Sequence, residues 1–365
     1  MQEKAGIVGI DASKKHMEVV RLFKDEKSIE RGNFSTDAAG KDRLKKWLKS
    51  KDTVMIEASS GIFLLVKEII RDVGCEVLVL NPGDLAVIYK SLKKTDREDA
   101  LKLARLGLWI PRDKLPVVPV PTDEEEDCRR LVSEHTFYTE ERTRLINRLH
   151  SVYYQAGYTG LTKKDLKTKE NREKPLLLLS ERYSDEAKRL MKRIDDIEND
   201  LEALQKKTSE FLKSHLELVM IYMSMVGIGP VNSLALLGHL GYFDRFSKAK
   251  QVSNYVGLTP KIDQSGESSK KGRTTNRGCR QIRRVIVQGA WSLVKSEKGG
   301  LLKERFERIC ARSGKHRAIV AVAREMLEIL FYMVKRGEYY RGITQTDVDK
   351  KLYYYGLLNK SGQGA

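Results

Sequence analysis

The chain has 365 residues, 41% of them hydrophobic, with a formal net charge of +18. Its length predicts two or three domains with real cores, and its charge predicts a polyanionic partner, with nucleic acid ahead of a membrane surface. No apolar run reaches the roughly 18 residues of a membrane span, MQEKAGIVGIDAS lacks a signal-peptide pattern, and the scattered Cys75, Cys128, Cys279 and Cys310 match neither a zinc site nor a disulfide framework, so a cytoplasmic protein with free thiols is expected.

Residues 5–120 read as alternating strands and helices. GIVGIDAS is a short apolar run ending in Asp11, and HMEVVRLF follows after a Lys-Lys turn, so the two are expected to pair as a hairpin. Helical character over 37–50 precedes a third apolar run, TVMIEAS, which ends near Glu57. GIFLLVKEIIRDVG carries apolar residues at helical spacing and stops at Gly74. CEVLVLNP is another strand, and a single helix is expected from about Leu85 to Leu108. PRDKLPVVPVPT, with four prolines, cannot be a regular helix and reads as a domain exit.

From 122 the chain becomes charged and helical, with Leu131, Tyr138, Leu145 and Val152 repeating every seven residues. After the basic interruption KKDLKTKENREK, the residues Leu190, Ile194, Ile197, Leu201, Leu204, Thr208 and Phe211 alternate by four and three, a coiled-coil seam. A long antiparallel helical hairpin is expected, serving as an arm or a dimer contact. The next region opens with YMSMVGIGPVNSLALLGHLG, where Gly227 and Gly229 stand in a G-I-G-P turn between apolar helical runs. That is the pattern of a helix-hairpin-helix whose turn N–H groups hold a phosphate. HRAIVAVAREMLEILFYMVKRG closes the region as an amphipathic helix. The expected division is 1–120, 121–216, 217–342 and a tail, 343–365.

Four acids stand out. Asp11 and Glu57 end neighbouring strands, and Asp96 and Asp99, three apart in KKTDREDALKLARL, share one helix face. A charge following Val54-Met55-Ile56 is costly without a partner. Four converging carboxylates repel, and a divalent cation relieves that repulsion. The six histidines show no ligand spacing, so an all-carboxylate site points to Mg2+ or Mn2+, as in two-metal phosphoryl transfer. Strand, strand and helix with acids at these places is the RNase H plan.

PKIDQSGESSKKGR reads as a polar loop around Ser265. From Lys261 to Arg284 there are eight Lys or Arg against Asp263 and Glu267. Lys270, Lys271, Arg273, Arg277, Arg280, Arg283 and Arg284 can hold several phosphates. Thr275 or Asn276 is expected to cap a helix beginning near Arg277. On chemistry alone Ser265 reads as a phosphate contact, because a serine needs activation or leaving-group stabilisation to attack a phosphodiester.

Three stretches resemble the DEDD-type insertion-sequence transposases of the IS110/IS1111 family, the bridge-RNA-guided recombinases. GIDASKKHMEV, MIEASSG and KTDREDALKLARL resemble the acidic motifs of their RuvC-like RNase H domain. GIGPVNSLALLGHLGYFDRFSKAKQVSNYVGLTP resembles the start of their C-terminal transposase domain, and QSGESSKKGRTTNRGCRQIRR their serine motif. The resemblance implies an α/β RuvC-like domain, a coiled-coil arm and a mostly helical transposase domain. It implies that Ser265 is a nucleophile linking covalently to DNA, and that Asp11, Glu57, Asp96 and Asp99 bind magnesium in a composite site with it. It also implies a noncoding bridge RNA that pairs with donor and target DNA, a dimer assembling to a tetramer, and a prokaryotic, nucleoid-associated protein. The competing readings are a metal-dependent Holliday-junction-type endonuclease in which Ser265 only grips phosphate, and a noncatalytic nucleic-acid-binding protein.

Overall fold

The computed structural model describes residues 5–25, 28–59, 61–88, 96–265, 268–274 and 278–358, with the backbone alone for 86–88, Asp96, Arg97, Leu177, 260–265 and 268–274. The chain divides into two compact units, Met1–Thr122 and Asp123–Ala365.

The first unit is a mixed sheet with helices on both faces. Its elements run β1 (Ile7–Ala12), β2 (His16–Leu22), β3 (Ile29–Ser35), α1 (Ala38–Trp47), β4 (Thr53–Glu57), α2 (Ile62–Val73), β5 (Glu76–Leu80), α3 (Pro82–Ile88), α4 (Asp96–Trp109) and β6 (Val117–Val118). The sheet order is β3-β2-β1-β4-β5-β6. β1 pairs antiparallel with β2, as the Lys-Lys turn predicted, and parallel with β4, which is parallel to β5. This order is consistent with an RNase H-like DEDD domain. β3 is an unpredicted edge strand, because IERGNFS is polar and mostly exposed. Within the span of the helix expected over Leu85–Leu108, α3 ends its described part at Ile88 and α4 begins at Asp96, and residues 89–95 lie outside the described residues.

Side chains alternate across a strand, and that alternation sorts the first unit into two layers. Val8, Ile10, Val54 and Ile56 pack with Leu44 and Leu48 at α1 and with Ile62, Leu65, Val66 and Ile69 of α2. The intervening positions face α4, where Met55 packs with Leu103 and Leu106. At the sheet end where β4 begins, buried Arg21 donates through Nε (3.2 Å) and Nη2 (2.8 Å) to Asp52. It also donates to the Trp47 carbonyl (2.7 Å), and its guanidinium lies 3.9 Å from the Trp47 ring centre. The backbone N–H groups of Gly6 and Lys49 donate to the same carboxylate. A buried ion pair is tolerable when its polar atoms are satisfied in this way.

Among its described residues, the regular structure of the second unit is helical apart from one hairpin. It comprises α5 (Asp123–Gln155), α6 (Lys169–Glu173), α7 (Glu181–Lys213), α8 (Leu216–Ser224), α9 (Pro230–His239), α10 (Ala249–Val256), β7 (Pro260–Ser265), β8 (Ser268–Thr274), α11 (Arg280–Lys295), α12 (Gly300–Ser313), α13 (Lys315–Arg336) and α14 (Gln345–Tyr354). α5 and α7 pack along each other. Of the predicted seam in α7, Leu190, Ile194, Leu204 and Thr208 are buried and Ile197, Leu201 and Phe211 half-buried. One end of this helix pair has a small core of its own, with Leu149, Tyr153, Leu166 and Ile194. Beside it, buried Arg172 grips Glu198 bidentately (3.1 and 2.7 Å) and Asp195 at 3.1 Å. The other end, at Cys128, Val132 and Leu212, joins the large core of α8 to α14.

The predicted closing helix is α13, whose Ile319, Val322, Ala323, Met326, Leu327 and Leu330 form a buried stripe at helical spacing. Beyond it, Val348, Leu352 and Leu357 also enter the core. Lys351 Nζ there donates to the carbonyls of Met223 (2.7 Å) and Met225 (3.3 Å), capping the end of α8. Burial pulls its pKa down to about 8.

Candidate active site and nucleic-acid interface

The acids are brought to one end of the sheet by strand register and one close helix contact. Ile10 pairs with Ile56 across parallel β1 and β4, so Asp11 and Glu57 follow side by side at the strand ends. By alternation both lie on the α4 face, two residues beyond Gly9 and Met55 respectively. α4 runs antiparallel to β1. A Cβ built at Gly107 would lie 2.7 Å from Ile7, whereas one at Gly9 would lie 1.9 Å from the Ala100 carbonyl oxygen. Only glycine permits that approach. Continuing toward its N-terminus, the helix carries Asp99 and then Asp96 to the end of the sheet that holds Asp11 and Glu57.

Asp11, Glu57 and Asp99 are half-buried there. Lys102, one turn along the same helix, donates to Asp99 Oδ1 at 2.7 Å. An all-oxygen donor set suits a hard divalent cation. Among the described residues no three metal-ligating side chains are grouped closely enough to hold one, and the Asp96 side chain is not among them.

The segment expected to be a loop around Ser265 is a β-hairpin. β7 and β8 pair antiparallel, with Asp263 opposite Lys270, Gln264 opposite Ser269 and Ser265 opposite Ser268. Ser265 ends β7 next to the two-residue connection, as a polar hairpin requires. The sequence hid it because its residues show no apolar alternation. The helix after it starts three residues later than predicted, at Arg280, and its N-cap is Cys279, with no side-chain cap bond. Thr275, Asn276 and Arg277 lie outside the described residues.

The basic residues predicted to hold phosphate divide by what they touch. Arg280 is exposed. Arg283 Nη1 donates to the Val256 carbonyl at 3.1 Å and so ties α11 to the end of α10. Exposed Arg284 pairs with Glu140 at 2.6 Å. Lys270, Lys271 and Arg273 lie on β8. Gly227 and Gly229 bound the turn between α8 and α9. Gly227 takes φ +89° with its Cα face against the Gly289 backbone, which requires glycine for packing alone, and Gly229 is the N-cap of α9.

Sequence reasoning passed over a polar network at the base of the hairpin. His239 contacts Gln281 Oε1 (2.5 Å) and Cys279 Sγ (3.5 Å). These residues lie about 40 positions apart in the chain, at no recognisable spacing, so no pattern signals them.

A family model described as "Transposase IS116/IS110/IS902 family" matches residues 220–307, the span that includes Gly227, Gly229, Ser265 and the basic residues. A DEDD transposase model of IS110 type, described as "Transposase", matches residues 8–156, the span that includes all four acids. The putative transposase y4rJ of Sinorhizobium fredii is 26% identical over 308 residues, which cover 78% of each chain. The transposase for insertion sequence element IS1111A of Coxiella burnetii is 25% identical over 283 residues, 73% of this chain and 74% of that protein. Among the described residues no helix is long and apolar enough to cross a membrane.

Proposed function

We propose, on the premise that this chain belongs to the IS110 family of DEDD transposases and is a DNA transposase, that it recombines DNA through a covalent serine intermediate under the guidance of a noncoding RNA. The observation that carries the reading is the position of Ser265, which ends one strand of a basic hairpin beside its connection. Lys270, Lys271 and Arg273 lie on the paired strand, and cations there would offset the charge of a phosphate brought to Ser265.

In this reading Ser265 Oγ attacks the scissile phosphorus and gives up its proton. The bond to one deoxyribose oxygen breaks, and that oxygen takes up a proton as it leaves. A DNA hydroxyl then attacks the phosphoserine and returns the oxygen to Ser265, so one phosphoester is exchanged for another and no external energy source is needed. A DEDD transposase domain carries the expectation of a divalent metal. Asp11, Glu57, Asp96 and Asp99 would hold it, as Mg2+ or Mn2+, and it would withdraw charge from the phosphate. The RNA would pair with donor and target DNA while the protein reads RNA backbone and shape. The protein would act as a dimer that assembles to a tetramer on DNA.

The test is a junction-spanning DNA incubated with metal and the copurified RNA, analysed on a denaturing gel. Wild type should yield a protein–DNA adduct and Ser265→Ala none. Metal-dependent cutting without any adduct would instead identify a junction nuclease. Sequencing the copurified RNA tests the guide, and a random mixture would sink that part of the reading.

A further inference from the structure

The Ser265 hairpin leaves the helical core at α10 and re-enters it at α11, and the re-entry point is held by a closed relay of hydrogen bonds. At its centre is His239, the last residue of α9. Gln281 Nε2 donates to the Arg129 carbonyl (3.5 Å), which turns Oε1 toward His239. His239 Nε2 therefore carries its proton and donates to that oxygen at 2.5 Å. Nδ1 is left as an acceptor, and the Cys279 thiol, 3.5 Å away, donates to it. Arg129 Nε completes the ring by donating to the Gly238 carbonyl at 2.5 Å. Each donor in the relay has one acceptor, and the relay joins α5, α9 and α11.

The relay needs a neutral imidazole. Burial pushes the His239 pKa down to about 4, the positive charges of Arg129 and Arg245 push the same way, and the Gln281 hydrogen bond pushes back. The backbone is fastened at the same place. Cys279 N–H donates to the Tyr255 carbonyl at 2.9 Å. Gly278, at φ +123°, packs so closely that a Cβ would lie 2.3 Å from that oxygen. With Arg283 on the Val256 carbonyl, the start of α11 is tied to the helix from which the hairpin departs. Elsewhere among its described residues α11 is packed by apolar side chains such as Ile282, Val285 and Ile286, which fix a helix against the core but do not set where its first residue sits.

We propose that His239, with Cys279 and Gln281, is the positioning element of the serine hairpin, holding the start of α11 at Cys279, where the chain re-enters the core, so that Ser265 meets the scissile phosphate in a reactive geometry. The proposal rests on the reading of Ser265 as the nucleophile. The three side chains touch neither DNA nor the reacting atoms in it. They set the anchor from which the hairpin projects, and a displacement of about 1 Å at a reacting atom can slow a reaction on the order of a hundredfold.

The experiment measures adduct formation in a single turnover at saturating DNA, with hydrogen exchange of the full-length protein alongside. His239→Ala and Cys279→Ala should slow adduct formation per folded molecule about tenfold to a hundredfold with DNA affinity unchanged, and amides at 268–274 should exchange faster. Cys279→Ser should recover most of the rate, because its hydroxyl still donates to Nδ1. A role in packing alone would instead lower the melting temperature and leave the rate per folded molecule intact. Adduct formation at the wild-type rate in His239→Ala and Cys279→Ala overturns the proposal. If His239→Ala does not fold, the Cys279→Ala and Cys279→Ser pair decides by the same measure. If wild type forms no adduct, the nucleophile reading fails, and unchanged exchange at 268–274 in Cys279→Ala then overturns the anchoring as well.

Discussion

The two candidate catalytic elements are built in opposite ways. Asp11 and Glu57 end strands in the middle of a six-stranded sheet, and their relative height follows from backbone pairing. Ser265 ends a strand of an isolated two-stranded hairpin, which two-stranded pairing alone stabilises only marginally. The acids inherit their geometry from a core, whereas the serine depends on how its hairpin is fastened. The comparison teaches that disruption of the packing beneath the acids should act through folding, and disruption at the base of the hairpin through positioning.

The largest effect should separate chemistry from fold. Asp11→Asn removes one charge at nearly constant shape, and strand cleavage should fall by roughly a thousandfold or more, comparable to losing a principal electrostatic stabiliser, while DNA binding and melting temperature persist. Cleavage at the wild-type rate in a gel assay would remove Asp11 from the site.

Next in size is the support beneath the acids. Gly9→Val places a Cβ where the Ala100 carbonyl stands, so α4 must move. Urea unfolding should show a loss of about 3 kcal/mol or more, with cleavage lost in parallel. An unaffected midpoint would mean that α4 does not rest on β1 as described.

The His239 relay gives a pH signature of similar or smaller size. Its folded pKa, about 4, lies below the ordinary value of 6.5. Above pH 6.5 the imidazole is neutral folded or unfolded, and no linkage arises. As pH falls from 6.5 toward 4, the unfolded chain takes up a proton that the folded one refuses, so stability is lost across that window, by at most roughly 3 kcal/mol. In His239→Asn the decline in unfolding free energy over the same window should be shallower, and equal slopes would contradict a buried neutral imidazole.

The smallest effect is expected at the exposed pair Arg284–Glu140. Arg284→Gln should change stability by only about 0.5 kcal/mol. If Arg284 contacts phosphate, the same change should lower the salt dependence of DNA binding by about one counterion. An unaltered salt slope would assign Arg284 to the ion pair alone.

Most strands and helices of the first unit were legible because each has one buried face. Val8 and Ile10 repeat every second residue, and the apolar residues of α2 recur at helical spacing before the left-handed Gly74. β3 escaped because an edge strand buries little. The hairpin escaped because its strands carry charge rather than a core pattern. The acids were recognisable as a set from their positions at strand and helix ends. His239, Cys279 and Gln281 were not, since each is unremarkable beside its own neighbours in the chain.

The sequence by itself determined the element types with a buried face, the four acids at strand and helix ends, the concentration of positive charge after residue 260 and the family to which these motifs point. Those properties are local, carried by periodicity and residue chemistry within short windows. Tertiary structure alone decided that Asp11 and Glu57 stand level, that Gly9 lets α4 bring Asp99 to the same edge, that Arg283 is spent on a backbone carbonyl, and that a neutral histidine ties the serine hairpin to the core. Each of these depends on atoms from distant parts of the chain meeting within a few ångströms, and hydrogen bonds and close packing decide such meetings only after the chain has folded.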